Sequence, residues 1–289
     1  MTKQISRRSF LVSSSAVAVT AAASSFPGSA AFSRIRALDE LIDYDALGLA
    51  QLIKKKQISA SELVEVVIRR IEALEPIINC MTTRTYERAR KKAKTIPSDS
   101  VFAGVPILIK DMIDVGGVRR TDGSRLWLAN VPKENVAYID GVEAAGLNIL
   151  GMTNVPEFAG GGTTNNNLFG ETRNPWNLDY STFVSSGGAA AAAASGVLPL
   201  VHGTDGAGSN RLPASITGLL GIKPSSKRML SGEAGGGHDL TKTNQTMGRT
   251  VRDSAALLNH TEDKSGKLYK PVGLVQGPSK KTAQDRFYC

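Results

Sequence analysis

Two periods of apolar residues run along the chain. Leu63, Val66, Val67, Ile68, Ile71 and Leu74 recur at helical spacing. They follow Ser59-Ala60-Ser61-Glu62, a capping box in which serine and glutamate satisfy each other's backbone N–H. Pro76 is expected to stop that helix. Residues 45–94 read as helical throughout, with Arg84 to Lys94 a second, basic helix whose face is solvated and Thr95 to Ser100 a break. From Val101 the pattern shortens. Val105-Pro106-Ile107-Leu108-Ile109 is a compact apolar run that reads as a buried strand delivering Lys110 at its end. Ala137 to Ala145 predicts a helix, Asn148 to Met152 a strand, and Gly187 to Ser195, with six consecutive alanines, a close-packed helix. Val197 to Val201 predicts a strand that runs into Gly203-Thr204-Asp205-Gly206-Ala207-Gly208-Ser209. Asp253 to Asn259 reads as a helix start with Asp253 as N-cap, and Val272 to Val275 as one last strand. Strands alternating with helices predict an α/β fold with a largely buried, mixed β-sheet core flanked by helices.

Composition fits a globular protein and excludes a disordered, collagenous or coiled-coil chain: of 289 residues, 41% are hydrophobic and 21% charged. The net charge of +9 sits at the ends. Lys3, Arg7 and Arg8 face no acid before residue 30, and residues 264–289 carry six basic side chains against Asp285 alone. With a near-neutral body and no basic stripe interleaved with aromatics, nucleic acid is not an expected partner. Cys80 and Cys289 form neither a CxxC nor a metal-ligand spacing, and nothing suggests a disulfide framework.

The first thirty residues read as an address. Ser6-Arg7-Arg8-Ser9-Phe10-Leu11 is a twin-arginine signature. The stretch Phe10 to Phe26 behind it is too short and too polar for a stable membrane span. Small residues around Ala30 suit a signal peptidase. The expected organisation is therefore a signal peptide at 1–30, a helical segment at 31–100, a core at 101–278 and a basic tail at 279–289. The expected destination is the periplasm or the exterior.

Two segments carry candidate chemistry: Ser185-Ser186-Gly187-Gly188 opening the alanine helix, and Gly206-Ala207-Gly208-Ser209-Asn210-Arg211 after a strand. Small residues beside a serine allow close backbone approach, and successive N–H groups there can hold an anion or a developing oxyanion. Neither segment is a phosphate loop, because no lysine follows the glycines, and neither is a G-x-S-x-G elbow. His238-Asp239 could serve Ser209, although adjacent residues rarely orient one another. A serine without a histidine base can use a lysine whose amine is neutral, and burial favours the neutral form. Lys110, at the end of an apolar strand, is the best-placed candidate.

Together these residues resemble the amidase signature family of serine amidohydrolases. The matching stretches are Ala103-Gly104-Val105-Pro106-Ile107-Leu108-Ile109-Lys110-Asp111, Thr153-Asn154-Val155-Pro156-Glu157-Phe158-Ala159, Asn174-Pro175-Trp176-Asn177, Ser185-Ser186-Gly187-Gly188-Ala189-Ala190-Ala191, Gly203-Thr204-Asp205-Gly206-Ala207-Gly208-Ser209 and Gly221-Ile222-Lys223-Pro224. They stand in the family's order, cover roughly residues 45–275, and place Ser185 and Ser209 at the family's separation. Asp239-Leu240 and Arg249 to Asp253 look like the branch containing the cyclic aminohexanoate-dimer hydrolases.

The resemblance implies a Ser–cis-Ser–Lys relay without metal or cofactor. In it, Ser209 is the nucleophile, Ser185 in a cis peptide passes on its proton, and Lys110 is the final base. Gly206, Ala207 and Gly208 supply the oxyanion hole, and Asp205 and Arg211 fix the nucleophile loop. The implied substrate is a small amide. The sequence departs from the family pattern at Val184, usually glycine, at Ala207, also usually glycine and compatible with a methyl only at negative φ, and at Asn210, usually apolar. Family members are usually longer, so a C-terminally truncated copy is expected, with an inactive remnant as one alternative. A second alternative, the glutaminase subunit of a tRNA amidotransferase, conflicts with a twin-arginine signal because that work is cytoplasmic.

Overall fold

The computed structural model describes residues 40–234 and 241–275. The twin-arginine segment, the tail from 279 onwards, His238-Asp239 and Leu240 lie outside the described residues. In chain order the elements are α1 (Ala46–Lys54), α2 (Ala60–Ile78), β1 (Met81–Arg84), α3 (Tyr86–Lys92), β2 (Pro106–Lys110), α4 (Ala137–Ala144) and β3 (Asn148–Thr153). Four short strands follow: β4 (Asn165–Asn166), β5 (Gly170–Glu171), β6 (Arg173–Asn174) and β7 (Asn177–Ser181). The rest are α5 (Gly187–Ala194), β8 (Leu200–Asp205), α6 (Arg211–Thr217), β9 (Leu220–Gly221), β10 (Thr243–Gly248) and α7 (Val251–Thr261).

The predicted mixed α/β architecture is present. Strand β3 lies between β1, which runs antiparallel to it, and β2, which runs parallel. A second, antiparallel sheet has the order β8-β10-β9. The two meet where β2 lies beside β8, so the strand that ends in Lys110 and the strand that ends in Asp205 are neighbours. Every residue of β2, β3, β8 and β10 is buried. Leu63, Val67, Ile71, Leu74 and Ile78 of α2 join the same core.

Helix α5 shows why its sequence is glycine and alanine. It packs against β8, β2 and β10, and all its residues from Gly187 to Ala193 are buried. A Cβ on Gly188 would stand 2.5 Å from both the N and the O of Asn154, which are backbone atoms with no freedom to withdraw. The helix therefore sits closer to the chain leaving β3 than any side chain allows.

Several expectations are corrected. Helix α2 has the expected capping box on Ser59 and Glu62, but it continues past Pro76 to Ile78 and ends with Asn79 in the left-handed region at φ 49. A proline in the last turn removes one N–H, and a left-handed residue then terminates the helix. The basic helix begins at Tyr86 rather than Arg84, because Met81–Arg84 is strand β1, paired with β3. The segment expected to be purely helical thus contributes an edge strand. Strand β8 begins at Leu200, not Val197, and extends through Gly203-Thr204-Asp205. No strand forms at Val272 to Val275, all four of which are exposed or half-exposed. An apolar run becomes a strand only where a partner edge accepts its backbone hydrogen bonds.

Asp253 is not the N-cap of its own helix. Thr250 caps α7, with its hydroxyl accepting from Asp253 N–H. The Asp253 carboxylate instead accepts from Ala46 N and Leu47 N, each at 2.9 Å, and so caps α1 from more than two hundred residues away. Asp253→Ala would leave two N–H groups at a buried helix start without acceptors, at a cost of about 2–3 kcal/mol. A thermal melt of the variant is expected to fall several degrees below the parent. An unchanged melt would show that the long-range cap contributes nothing.

Candidate active site

Strand β2 carries Lys110 into the core, where the side chain is 0% exposed. Its Nζ donates to Thr204 Oγ1 at 2.7 Å and lies 2.6 Å from Ser185 Oγ. Both partners are hydroxyls, so no carboxylate holds the ammonium form. Burial, reinforced by the charge of Lys242 and opposed by Asp205 and Asp122, lowers the Lys110 pKa to about 7. The structure thus joins two of the three predicted catalytic residues and brings the lysine close to its neutral form at ordinary pH. Next to it, Asp111 is fully buried and accepts from Thr121 N at 2.9 Å and Thr121 Oγ1 at 2.5 Å. Burial pushes its pKa up to about 6, against the pull of these hydrogen bonds.

Ser185 precedes α5 and is 1% exposed. The expected cis linkage ahead of it is not found: no cis peptide occurs among the described residues. A non-proline bond favours trans by about 3–4 kcal/mol, and Lys110 reaches Ser185 Oγ with the chain trans. The turn is held by Thr164, whose Oγ1 lies 2.7 Å from the Val184 carbonyl and 3.0 Å from that of Phe183. Phe183 itself sits at φ 64, in the left-handed region that non-glycine residues rarely occupy. Ser186 ties this turn to β8, its hydroxyl donating to Thr204 O at 3.2 Å and accepting from Thr204 N at 3.3 Å.

Ser209 lies in the loop between β8 and α6 and is half-buried. The loop folds around the Asp205 carboxylate. Oδ1 accepts from Gly208 N at 2.7 Å, and Oδ2 from Asn210 N at 3.3 Å and Arg211 N at 3.2 Å. Arg211 closes the ring with Nε 2.8 Å from Oδ2 and a terminal nitrogen 3.1 Å from Oδ1. Burial alone would raise the Asp205 pKa, but Arg211 and these N–H groups outweigh it and hold the carboxyl below its ordinary value. The Asp205 carboxylate and the Arg211 guanidinium are thus brought together at the base of the loop that carries Ser209.

The expected oxyanion trio is reduced. Gly208 N–H is turned to Asp205, so of the three, Gly206 and Ala207 remain at the exposed face of the loop. The carboxylate three residues back captures that donor to close the turn. The positive φ falls on Gly208, at 116, and not on Ala207, so the methyl there is tolerated. Asn210 is fully buried and donates to Ile222 O and Thr246 O, both at 2.9 Å, fastening the loop to β10 and to the segment after β9.

Ser186 lies in the serine-glycine segment that opens the alanine helix, but the sequence gives it no role of its own, and it gives Thr204 none either. Thr204 stands in the stretch Gly203 to Ser209, two residues from His202 on one strand, and that spacing is the signal that places both side chains on one face.

A buried lysine facing a serine at a helix start, beside a glycine-rich loop that presents a second serine, suits serine-hydrolase chemistry without a histidine base. A profile of the family described as Amidase matches residues 62–286, and the chain belongs to that family. It is 37% identical over 226 residues to the 6-aminohexanoate-cyclic-dimer hydrolase of Paenarthrobacter ureafaciens, a match covering 74% of this chain and 44% of that protein. It is 36% identical over 259 residues to the putative amidase AmiC of Mycobacterium tuberculosis, covering 86% and 54%. A solved structure of 6-aminohexanoate cyclic dimer hydrolase complexed with substrate superposes with a TM-score of 0.74 at 32% identity, covering 85% of this chain and 51% of that one. The chain therefore spans about half the length of the curated relatives it matches.

Proposed function

We propose that this chain carries the acylation machinery of an amide hydrolase, with Ser209 as nucleophile, Ser185 as proton relay and Lys110 as final base. One observation carries the reading: Lys110 Nζ is fully buried, paired with two hydroxyls and 2.6 Å from Ser185 Oγ. A neutral amine has two N–H groups and one lone pair. One N–H serves Thr204, and the lone pair accepts the Ser185 hydroxyl proton. Ser209 Oγ attacks the amide carbonyl and its proton passes to Ser185 Oγ, which passes its own to Lys110 Nζ. N–H groups of the Gly206–Ser209 loop other than that of Gly208 hold the oxyanion. Collapse breaks the C–N bond, and the leaving amine takes the proton back through Ser185. Water then cleaves the acyl-serine with the relay acting as base. Similarity to cyclic-dimer hydrolases and amidases supports a small linear or cyclic amide as substrate.

The test is labelling of the full chain with a fluorophosphonate and mapping of the adduct by peptide mass spectrometry. The adduct is expected on Ser209. Because neutral Lys110 is the competent form, the labelling rate should rise with pH through a midpoint near 7 and level off above it. An adduct elsewhere, or a rate that falls as pH rises through 7, would overturn the assignment.

A further inference from the structure

His202 is buried beside Lys110, yet the proton path does not use it. Its Nδ1 accepts from Lys110 N–H at 3.2 Å, and its Nε2 lies 3.4 Å from Asn244 Oδ1. The geometry at the seam between the two sheets explains the first contact. Strand β2 pairs with β3 on one side, and Asp111 N–H donates to Thr153 O across that pairing. Successive N–H groups of a strand point to opposite sides, so Lys110 N–H points towards β8. No ladder pairs β2 with β8, and the His202 ring fills the place of a carbonyl acceptor. His202 and Thr204 are two residues apart on β8, so their side chains share a face. One holds Lys110 by its backbone and the other by its Nζ.

We infer that His202 is a positioning residue for Lys110, the backbone half of a two-point clamp whose other half is Thr204. The inference rests on the reading of Lys110 as the base. A backbone N–H can only donate, so Nδ1 must keep its lone pair and the proton sits on Nε2, facing Asn244. Tyr138 of α4 supports the ring from the side, with centroids 5.2 Å apart. The charged groups bearing on it are Lys110 and Lys242. Burial, then the charge of Lys110 and more weakly that of Lys242, outweigh the Asn244 hydrogen bond and lower the His202 pKa to about 3, so the clamp stays intact across the working range of the lysine.

The test compares His202→Leu, which removes the acceptor, with His202→Asn, whose Oδ1 can take the place of Nδ1. Two readouts are taken on the full chain: the rate of fluorophosphonate labelling, and the titration midpoint of Lys110 followed by NMR in protein carrying carbon-13 at lysine Cε, assigned by its absence in Lys110→Ala. His202→Leu is expected to slow labelling about 100-fold, the usual consequence of misplacing a reacting group. It should also raise the Lys110 midpoint as the amine relaxes towards water. His202→Asn should recover most of both. A purely structural histidine would lower the melting temperature and leave the Lys110 midpoint alone, and that result would overturn the clamp. If the parent chain does not label, or labels without Lys110, the catalytic reading fails, while the Lys110 midpoint in His202→Leu still decides the clamp. Should His202→Leu not fold, the nitrogen-15 histidine spectrum of the parent decides: Nδ1 unprotonated at pH 7 supports the clamp, and Nδ1 protonated overturns it.

Discussion

Lys110→Ala is expected to lower the rate of Ser209 labelling about 1,000-fold in a chain that remains folded, within the range for loss of a positioned general base. The side chain ends against Ser185 and Thr204, so its removal leaves the Ser185 hydroxyl without a proton acceptor. Lys110→Met separates chemistry from folding, because methionine fills similar volume without a charge. For the parent, a lowered lysine pKa means that between about 7 and 10.5 the unfolded chain binds more protons than the native one. Stability of the parent therefore rises with pH across that window and is lost as pH falls towards 7. Lys110→Met should lack this slope and melt no lower than the parent at pH 6, while labelling as slowly as Lys110→Ala. A Met variant with the parental slope would show that Lys110 is charged and salt-bridged in the native protein, and the mechanism would lose its base.

Asp205→Ala carries the second large effect. Its carboxylate collects three backbone N–H groups and the Arg211 guanidinium. Unlike a surface ion pair, it is 1% exposed, and its removal leaves the buried Gly208 and Asn210 N–H groups without their acceptor. The expected cost is about 3 kcal/mol or more, at roughly 1–3 kcal/mol for each buried donor left without a partner. The loop that carries Ser209 also loses its shape, so labelling should fall about 100-fold even below the melting transition. Arg211→Ala should cost far less. Its side chain is 51% exposed, and solvent screens a pair so open to water. Equal effects of the two substitutions would mean that the guanidinium, not the set of N–H groups, holds the loop.

The difference between what could be read and what could not follows the range of the interactions. The Ser59–Glu62 cap, the apolar strand ending in Lys110, the strand at Asn148 and the alanine helix depend on residues within a few positions of one another, and the structure contains each of them. Strand β10 was not anticipated because Thr243-Asn244-Gln245-Thr246-Met247-Gly248 is mostly polar. It is a strand because β8 and β9 flank it and take its backbone hydrogen bonds. Val272 to Val275 failed for the opposite reason, an apolar run with no edge to join. In the candidate site, Lys110, Ser185, Ser209, Asp205 and Arg211 were named from motifs.

Local sequence was enough for the α/β class, for most of the helices and the three strands β2, β3 and β8, and for the identity of the residues with the chemistry to form a site, since caps, periodicity and motif spacing are short-range properties. The partners of those residues were settled only by the fold. Thr204 and His202 grip Lys110 from a strand some ninety residues away. Gly208 N–H turns inward to a carboxylate rather than outward. Asp253 caps a helix at the other end of the chain. Each depends on which strands lie side by side and on which buried acceptor reaches a donor first, and burial is a property of the packed molecule that no short stretch of sequence encodes.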